Sequence, residues 1–318
     1  MAFLRNYRYL DRPPAPEIGV SRAIAIGKFD GLHVAHQTIL KNVVLVARER
    51  GLTPCMFTFT PHPRYVLQGD EEYANLLTPP GERARIAATL GMRETFVAHF
   101  DARFRSQTAD AFFDDYLLAL GVSHLVVGYD FRMGKNGANG VSDLKQIADK
   151  YGVTVEIVAP IDQDGLRVSS TLTRNALAQG RPEDAAHLLG RAYRIRGEVI
   201  HGAKRGRTIG FPTANLTLCE PFVVPKIGVY AVYAEVDQKR YRGVMNLGVR
   251  PTVSSQGELS FEVHILDEAL DLYGKTMDVL FVHYLREERR FNALDALKEQ
   301  LHEDVRCARA LLDGLSRV

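Results

Sequence analysis

The stretch AIAIGKFDGLHVAHQTIL, residues 23–40, joins a short apolar run to an amphipathic run through a turn that contains two glycines. The apolar run predicts a buried strand. Ile39, Val43 and Val46 recur at the spacing of one helix face, which predicts a helix over about residues 34–50. Gly51 is a typical stop signal for that helix. The stretch therefore predicts a strand, a turn and a helix in direct succession.

The same alternation continues to about residue 160. Further strands are predicted at 55–59, 95–100, 123–131 and 153–160, with helices near 80–90, 108–120 and 141–151. Short apolar strands that alternate with helices are typical of a parallel sheet covered on both faces. Ligands of such α/β sheets bind beyond the carboxyl ends of the strands, so the turns after the strands are the first places to look for chemistry.

The pattern changes after about residue 185. Short strands follow one another across Gly- and Pro-containing turns with no helix between them, as in a β-barrel or a sandwich. The chain then ends in a helical pattern over 291–312, in which Phe291, Leu294, Leu297 and Leu301 mark one buried face. The two parts of the chain are therefore predicted to differ in architecture.

Composition narrows the class of protein. The chain has 318 residues, which favours two domains, and its 40 basic and 38 acidic residues leave a net charge of only +2. This balance gives no reason to expect nucleic acid or a membrane as a partner. Three cysteines without a CxxC pair, and the lack of a signal-peptide pattern or a 20-residue apolar run, predict a cytoplasmic protein. Neither a GxxxxGK[ST] loop nor a GxGxxG fingerprint is present, which disfavours P-loop kinases and dinucleotide-dependent dehydrogenases.

The turn at residues 27–36 has the chemistry of a phosphate site. A helix N-terminus presents N–H groups and a positive dipole end, and Gly27 and Gly31 permit close approach of the backbone to a ligand. His33 and His36 are spaced to donate hydrogen bonds to phosphate oxygens from one side. A capping or space-filling role for two such histidines is the alternative interpretation.

This segment, GKFDGLHVAH, resembles the HxGH signature of nucleotidyltransferases in the form found in bacterial FAD synthetases, with Ala35 in place of the usual glycine. The segments TFTPHP (58–63), GYDFRMG (128–134) and SSTLTR (169–174) resemble further motifs of that family, with Met133 and Thr173 as departures. The resemblance implies catalytic roles for His33, His36 and Arg174. It implies ATP binding by Gly27, Phe29, Asp30, Gly31, Ser170 and Thr171, and flavin binding by His62, Asp130 and Phe131.

The longest motif lies in the second part of the chain, GEVIHGAKRGRTIGFPTANL at residues 197–216. Three basic residues and several glycines suit a polyphosphate, and Thr213 and Asn215 carry oxygen ligands appropriate to Mg²⁺. The stretch resembles the riboflavin kinase signature at nearly every fixed position. The resemblance implies ATP binding by Gly202, Lys204, Arg205, Gly206, Arg207, Gly210 and Pro212.

Two later segments resemble the same kinase family. In FEVHILD (261–267), Glu262 alternates with the apolar Phe261 and Val263, so it is expected on the opposite face of a strand. The resemblance identifies Glu262 as the general base. In NLGVRPT (246–252), it implies flavin binding by Asn246 and Arg250.

Taken together, the motifs resemble those of the bacterial bifunctional riboflavin kinase/FAD synthetase family. They imply an α/β nucleotidyltransferase domain over residues 1–185 and an antiparallel β-barrel kinase domain with a last helix over 186–318. The implied substrates and products are ATP, riboflavin, FMN and FAD, with Mg²⁺ accompanying ATP and no obligate protein partner. A kinase with an impaired adenylyltransferase module and a non-catalytic flavin-binding protein are the alternatives.

Overall fold

The computed structural model describes residues 7–202, 206, 209–250, 258–268 and 270–315, without the side chains of Arg250 and Leu315. Contacts divide the chain into two compact units, one ending at Ser170 and the other beginning at Thr171. The strands and helices of the first unit are β1 (Tyr7–Leu10), β2 (Arg22–Ile26), α1 (Val34–Arg50), β3 (Thr53–Thr60), α2 (Pro63–Gln68), α3 (Pro80–Thr89), β4 (Glu94–His99), α4 (Ala102–Ser106), α5 (Ala109–Phe112, continued by a π-helical turn, Phe113–Leu118), β5 (Val122–Gly128), α6 (Val141–Lys150), β6 (Thr154–Val158), β7 (Asp162–Gln163) and β8 (Leu166–Arg167).

The first unit contains a six-stranded sheet in the order β1-β4-β3-β2-β5-β6, and every strand pair in it is parallel. Strand β2 is buried along its whole length, and its side chains alternate between two cores. Ile24 and Ile26 pack with the cluster that includes Phe112 and Leu144, whereas Ala25 packs with the cluster that includes Leu40. Helices therefore cover both faces of the sheet, which confirms the predicted α/β architecture.

Helix α1 occupies the range that the sequence predicts. Ile39, Leu40, Val43 and Ala47 form its buried side, and Gly51 ends it in the left-handed conformation with φ 67°. Elsewhere in this unit the structure differs from the expectations, and helices α2 and α4 were not predicted. Strand β5 ends at Gly128 rather than extending to residue 131, because Phe131 N–H bonds back to the Gly128 carbonyl and turns the chain. Strand β1 and the β7–β8 hairpin were not expected at all.

The second unit is a closed six-stranded barrel with helices packed against it. Its elements are the helix α7 (Ser170–Ala178), which begins at the last residue of the first unit, then α8 (Pro182–Leu189), β9 (Tyr193–Ile200), β10 (Ala214–Leu218), β11 (Gly228–Val236), β12 (Lys239–Arg250), β13 (Glu258–Ile265), β14 (Thr276–Arg286) and α9 (Leu294–Leu315). The strand order is β10-β13-β12-β11-β14-β9, all pairs are antiparallel, and β9 pairs with β10 to close the barrel. The predicted barrel is thus confirmed.

The two sides of the barrel wall have different neighbours. Tyr230, Met245 and Val263 face one another across paired strands and are almost fully buried, so they belong to the barrel interior. The alternate residues Val229 and Val244 pack with Leu312 of helix α9 in a separate cluster. Helix α9 therefore covers part of the outer face of strands β11 and β12.

Candidate active sites

The first candidate site is the loop between β2 and α1, residues 27–33, which we call the β2–α1 loop. His33 is the N-cap of α1, and its Nδ1 accepts a hydrogen bond from the His36 backbone N–H at 3.4 Å. An accepting Nδ1 places the proton of the neutral imidazole on Nε2. The two imidazoles are stacked, with ring centroids 3.6 Å apart and planes 14° apart. The two predicted catalytic histidines therefore lie together at the N-terminus of the helix.

The other predicted residues of the β2–α1 loop are buried or glycine. Phe29 contacts the His36 ring edge-on at 5.3 Å, and a Cβ on Gly27 would come within 3.0 Å of the Phe29 ring. Asp30 is almost fully buried and accepts a hydrogen bond from Thr78 N–H at 3.1 Å. Ser170 Oγ donates to the Asp30 carbonyl at 2.7 Å. The structure thus brings Ser170 to the same loop as Asp30.

Thr171 and Arg174 lie further along helix α7, in the second unit. Thr171 is exposed and Arg174 is buried. Ala35, which replaces the usual glycine of the motif, lies in the first turn of α1.

The predicted flavin-binding residues of the first unit follow two other strands of the same sheet. His62 is buried, caps helix α2 by accepting from Arg64 N–H at 3.1 Å, and packs on the Tyr73 ring at 4.5 Å. Asp130 is exposed after β5, and Phe131 packs on one of the sheet's cores.

Lys28 is a charged group that the sequence reasoning did not single out. Protein atoms around its side chain lower the pKa of the ammonium, although the residue as a whole is exposed, and the Asp130 carboxylate acts in the opposite sense. The Arg64 guanidinium adds to the lowering of the pKa. Lys28, Asp130 and Arg64 follow β2, β5 and β3, so charges of both signs gather at the carboxyl edge of three adjacent strands.

Two further residues beneath the β2–α1 loop also escaped the sequence reasoning. Arg83 is 1% exposed, and its guanidinium donates to Thr58 Oγ1 at 2.6 Å and to the Thr78 carbonyl at 3.0 Å. Thr58 Oγ1 in turn donates to the Lys28 carbonyl at 2.9 Å. Arg83 lies in a helix whose charges look like a solvated face in sequence, so only burial reveals its role. Thr78 lies in a Thr-Pro-Pro turn that predicts nothing beyond a turn.

The second candidate site is a row of side chains across three neighbouring strands of the barrel. Glu262 on β13 is the register partner of Asn215 on β10 and of Asn246 on β12. Directly opposed residues of paired strands point to the same side of the sheet. Asn246 lies two residues from Val244, which packs under helix α9, so the row lies on the outer face of the barrel. Phe261, Val263 and Ile265 are buried on the other side, as the alternation predicts.

The Glu262 carboxylate lies among hydroxyl groups. Thr213 Oγ1 donates to Oε2 at 3.4 Å, and Ser260 Oγ donates to Oε1 at 3.1 Å. Ser260 is buried and was not predicted as a site residue; its spacing of two from Glu262 on one strand is the signal that points to it. The structure therefore brings Glu262, Thr213 and Asn215 together.

Three glycines of the long motif lie where a larger residue would clash or be strained. A Cβ on Gly202 would overlap the Asn215 side-chain amide, and a Cβ on Gly206 would overlap the Phe211 carbonyl. Gly210 has φ 88°, in the left-handed region that favours glycine. Phe211 N–H bonds to the Gly206 carbonyl at 2.9 Å, which turns the chain back before Pro212.

Pro212 lies next to a small aromatic group. Its carbonyl is 2.8 Å from His264 Nδ1, and Phe211 contacts His264 at 5.4 Å and His302 of helix α9 at 5.0 Å between ring centroids. These contacts join the FPT segment to both β13 and α9. Lys204, Arg205 and Arg207 lie outside the described residues, as does the side chain of Arg250.

The fit of these residues to a magnesium ion can be judged from their donor atoms. Thr213, Asn215 and Glu262 present hydroxyl, amide and carboxylate oxygens, the ligands that Mg²⁺ prefers. Among the described residues, no group of three or more His, Cys, Asp and Glu side chains is arranged to hold a metal ion.

None of the described helices is both long and apolar enough to cross a membrane.

Comparison with known proteins finds a matching family for each part of the chain. The family model described as FAD synthetase matches residues 16–172, and the model described as riboflavin kinase matches residues 189–312. The chain is 38% identical over 93% of its length to a bifunctional riboflavin kinase/FMN adenylyltransferase of Listeria monocytogenes, covering 94% of that protein. It is 42% identical over 90% of its length to one of Pseudomonas fluorescens, covering 91% of that protein.

A solved structure has the same fold over nearly the whole chain. It is described as a macrolide-efflux protein from Streptococcus pneumoniae, with a TM-score of 0.87, 32% identity, and coverage of 95% of this chain and 98% of that chain. The first unit is of the adenylyltransferase class and the second of the flavin kinase class. The chain belongs to the bifunctional riboflavin kinase/FMN adenylyltransferase family.

Proposed function

We propose that the second unit transfers the γ-phosphate of ATP to riboflavin and that the first unit transfers the AMP moiety of a second ATP to the FMN so formed. The observation that carries the kinase assignment is the row Asn215–Glu262–Asn246 on the outer face of the barrel. For the adenylyltransferase it is the stacked pair His33 and His36 at the N-terminus of α1.

In the kinase reaction, the 5′-hydroxyl of riboflavin attacks the γ-phosphorus, and the bond from that phosphorus to the ADP oxygen breaks. Glu262 accepts the hydroxyl proton, and the products are FMN and ADP. A positioned carboxylate in this role contributes about 10²–10⁴-fold to the rate. Asn246 and Arg250 bind the flavin. The ATP phosphates are bound by Gly202, Lys204, Arg205, Gly206, Arg207, Gly210 and Pro212.

Thr213 and Asn215 are the residues proposed to hold Mg²⁺. Bound with ATP, the ion would neutralise phosphate charge. The hydrogen bond from Thr213 to the Glu262 carboxylate supports this proposal, because the metal ion and the base would need to meet the same region of the substrate.

In the adenylyltransferase reaction, a phosphate oxygen of FMN attacks the α-phosphorus of ATP, the α–β phosphoanhydride bond breaks, and pyrophosphate leaves with the electron pair. The FMN phosphate is already anionic, so the reaction needs positioning and charge stabilisation more than a base. We assign these tasks to His33, His36 and Arg174. Gly27, Phe29, Asp30, Gly31, Ser170 and Thr171 bind ATP, and His62, Asp130 and Phe131 bind the flavin.

The two activities are proposed to occupy residues 1–185 and 186–318. We propose a cytoplasmic location, where ATP is available and where the three cysteines, Cys55, Cys219 and Cys307, stay reduced. The proposed partners are the small molecules ATP, riboflavin, FMN and FAD. No nucleic acid and no obligate protein partner enters either reaction.

One experiment tests both activities. The protein is incubated with riboflavin, ATP and Mg²⁺, the flavins are separated by chromatography, and the assay is repeated with supplied FMN. The wild type should make FMN and FAD; Glu262→Gln should make neither from riboflavin but should convert supplied FMN; His36→Ala should stop at FMN. FMN without FAD in the wild type would indicate an impaired adenylyltransferase, and the absence of both products would indicate a flavin-binding protein.

A further inference from the structure

We infer that Thr78 is a positioning residue of the adenylyltransferase, which holds the β2–α1 loop in its ATP-binding conformation. The inference rests on the proposed function of the first unit. Thr78 lies in the segment between α2 and α3, is 2% exposed, and belongs to none of the motifs that identify the family in the sequence.

Thr78 bonds to three successive residues of the β2–α1 loop. Its N–H donates to Asp30 Oδ1 at 3.1 Å, and its hydroxyl oxygen accepts from Gly31 N–H at 2.8 Å. The same hydroxyl donates to the Phe29 carbonyl at 3.3 Å. One side chain and its own N–H therefore fix the middle of the loop.

This part of the loop has a backbone that needs such support. Phe29 and Leu32 have φ values of 51° and 42°, in the left-handed region, and Gly31 lies between them with φ 88°. Residues other than glycine pay a steric cost there and keep the conformation only when the surrounding structure holds it. Phe29 and Leu32 are also almost fully buried, so the conformation cannot relax without unpacking both side chains.

Thr78 is itself held in place by Arg83. The guanidinium of Arg83 donates to the Thr78 carbonyl at 3.0 Å and to the Phe59 carbonyl at 3.1 Å, which ties the Thr78 turn to the end of β3. Since Arg83 is buried, these bonds are shielded from water. Thr78 and Arg83 therefore link the β2–α1 loop to the end of strand β3 through hydrogen bonds.

The expected effect of losing the Thr78 hydroxyl follows from this arrangement. When only a fraction of the molecules has the binding-competent loop, the apparent affinity is the intrinsic affinity multiplied by that fraction. Thr78→Val removes both hydrogen bonds of the hydroxyl, the one from Gly31 N–H and the one to the Phe29 carbonyl. We expect it to raise the KM for ATP in FAD formation about tenfold or more, with a smaller change in kcat. A residue that served only overall stability would reduce the amount of active enzyme and leave KM unchanged.

The test uses the full chain and three variants, Thr78→Val, Thr78→Ser, which keeps the hydroxyl, and Thr95→Val as a control. Thr95 is a buried threonine of strand β4 in the same sheet. FAD formation from supplied FMN is measured against ATP concentration, and FMN formation from riboflavin in the same samples reports the kinase. Thr78→Val should raise KM for ATP in the first reaction only, and the other two variants should resemble the wild type.

Equal KM values for wild type and Thr78→Val would overturn the inference and leave the proposed function intact. A wild type that makes no FAD from FMN would overturn the proposed function and this inference with it. If Thr78→Val gave no folded enzyme, amide hydrogen exchange of the wild type would decide. The Gly31 amide should exchange slowly because it donates to the Thr78 hydroxyl, and fast exchange there would contradict the inference.

Discussion

The hydroxyl of Ser260 donates a hydrogen bond to Oε1 of Glu262 at 3.1 Å, and Ser260 is buried. Glu262 is the proposed base of the kinase reaction, so Ser260 fixes one oxygen of the group that must receive the proton. A hydrogen bond to a charged group contributes about 1.5–3 kcal/mol to stability. It changes the reaction rate only to the extent that it is stronger in the transition state than in the ground state.

Ser260→Ala should therefore lower kcat for FMN formation roughly tenfold. Ser260→Thr keeps the hydroxyl and should stay near the wild-type rate. The measurement is the initial rate of FMN formation at saturating riboflavin and ATP, with FAD formation from supplied FMN as the internal reference. A Ser260→Ala enzyme with wild-type kcat would show that this hydrogen bond does not position the base.

Gly202 is expected to act through Asn215. A methyl group at Gly202 would overlap the Asn215 side-chain amide, so Gly202→Ala must displace the side chain proposed to hold the metal ion. The KM for ATP of the kinase should rise about tenfold or more in Gly202→Ala, comparable to Asn215→Ala. Because both changes disturb the same interaction, that of the Asn215 side chain, the KM for ATP of the double variant should be no higher than that of the more impaired single variant. Additive losses would contradict this coupling.

Helix α9 is attached to the barrel by an ion pair with little exposure. Arg286, at the end of β14, donates to both carboxylate oxygens of Asp304 at 2.8 and 2.7 Å, and Gln300 donates to the same carboxylate at 3.0 Å. The Asp304 side chain is 3% exposed. Asp304→Asn leaves the Arg286 charge without its counterion and should cost the second unit about 3–5 kcal/mol in free energy of unfolding.

The matched comparison for this ion pair is the double variant Arg286→Met/Asp304→Leu, which removes both charges. Replacing a buried ion pair by apolar residues of similar size is often close to neutral, so this variant should recover most of the lost stability. Urea titrations followed through the loss of kinase activity measure both effects. A double variant as unstable as Asp304→Asn would mean that the ion pair itself, rather than the isolated charge, decides the stability.

His124 should make the stability of the first unit depend on pH. Burial lowers the pKa of His124, the nearby Arg50 guanidinium lowers it further, and Glu156, 3.9 Å from Nε2, acts in the opposite sense. The Nδ1 atom lies 2.6 Å from Thr154 Oγ1. Because the pKa is lower in the folded state than its ordinary 6.5, the unfolded chain binds more protons below that pH.

The first unit should therefore lose stability as the pH falls from about 6.5 through the lowered pKa of His124, with no contribution from His124 above that range. His124→Gln removes this titration. Unfolding of the first unit in urea can be monitored by its NMR signals. The urea midpoint should fall less between about pH 7.5 and 5.5 in the variant than in the wild type. Identical pH dependence in the two proteins would contradict the prediction.

The sequence predicts those parts of the fold whose signals are local. Helix α1 has its expected limits because the apolar spacing and Gly51 both lie within it. Strand β1 escapes prediction because it is an edge strand, paired within the described residues with β4 alone, and its residues YRYL are mostly half-exposed. An edge strand with polar neighbours has little apolar pattern to recognise.

The site residues also divide into those that a local sequence motif reveals and those that only distant contacts reveal. His33, His36 and Glu262 can be found in sequence because they belong to motifs of fixed spacing. Thr78 and Arg83 cannot, because their importance lies in bonds to residues far along the chain, such as the Arg83 bond to Thr58 Oγ1. In the sequence of a helix that carries several charges, a buried arginine cannot be told apart from a surface arginine.

The closure of the barrel has a consequence for biosynthesis. Strand β9 pairs with β10 and with β14, so the second unit cannot be completed until residue 286 has left the ribosome. The strands of the parallel sheet are all present by residue 158. Since chains emerge from the N-terminus, the first unit should fold while the second is still being made. A nascent chain arrested within β12 should therefore hold a protease-resistant first unit and a protease-sensitive remainder.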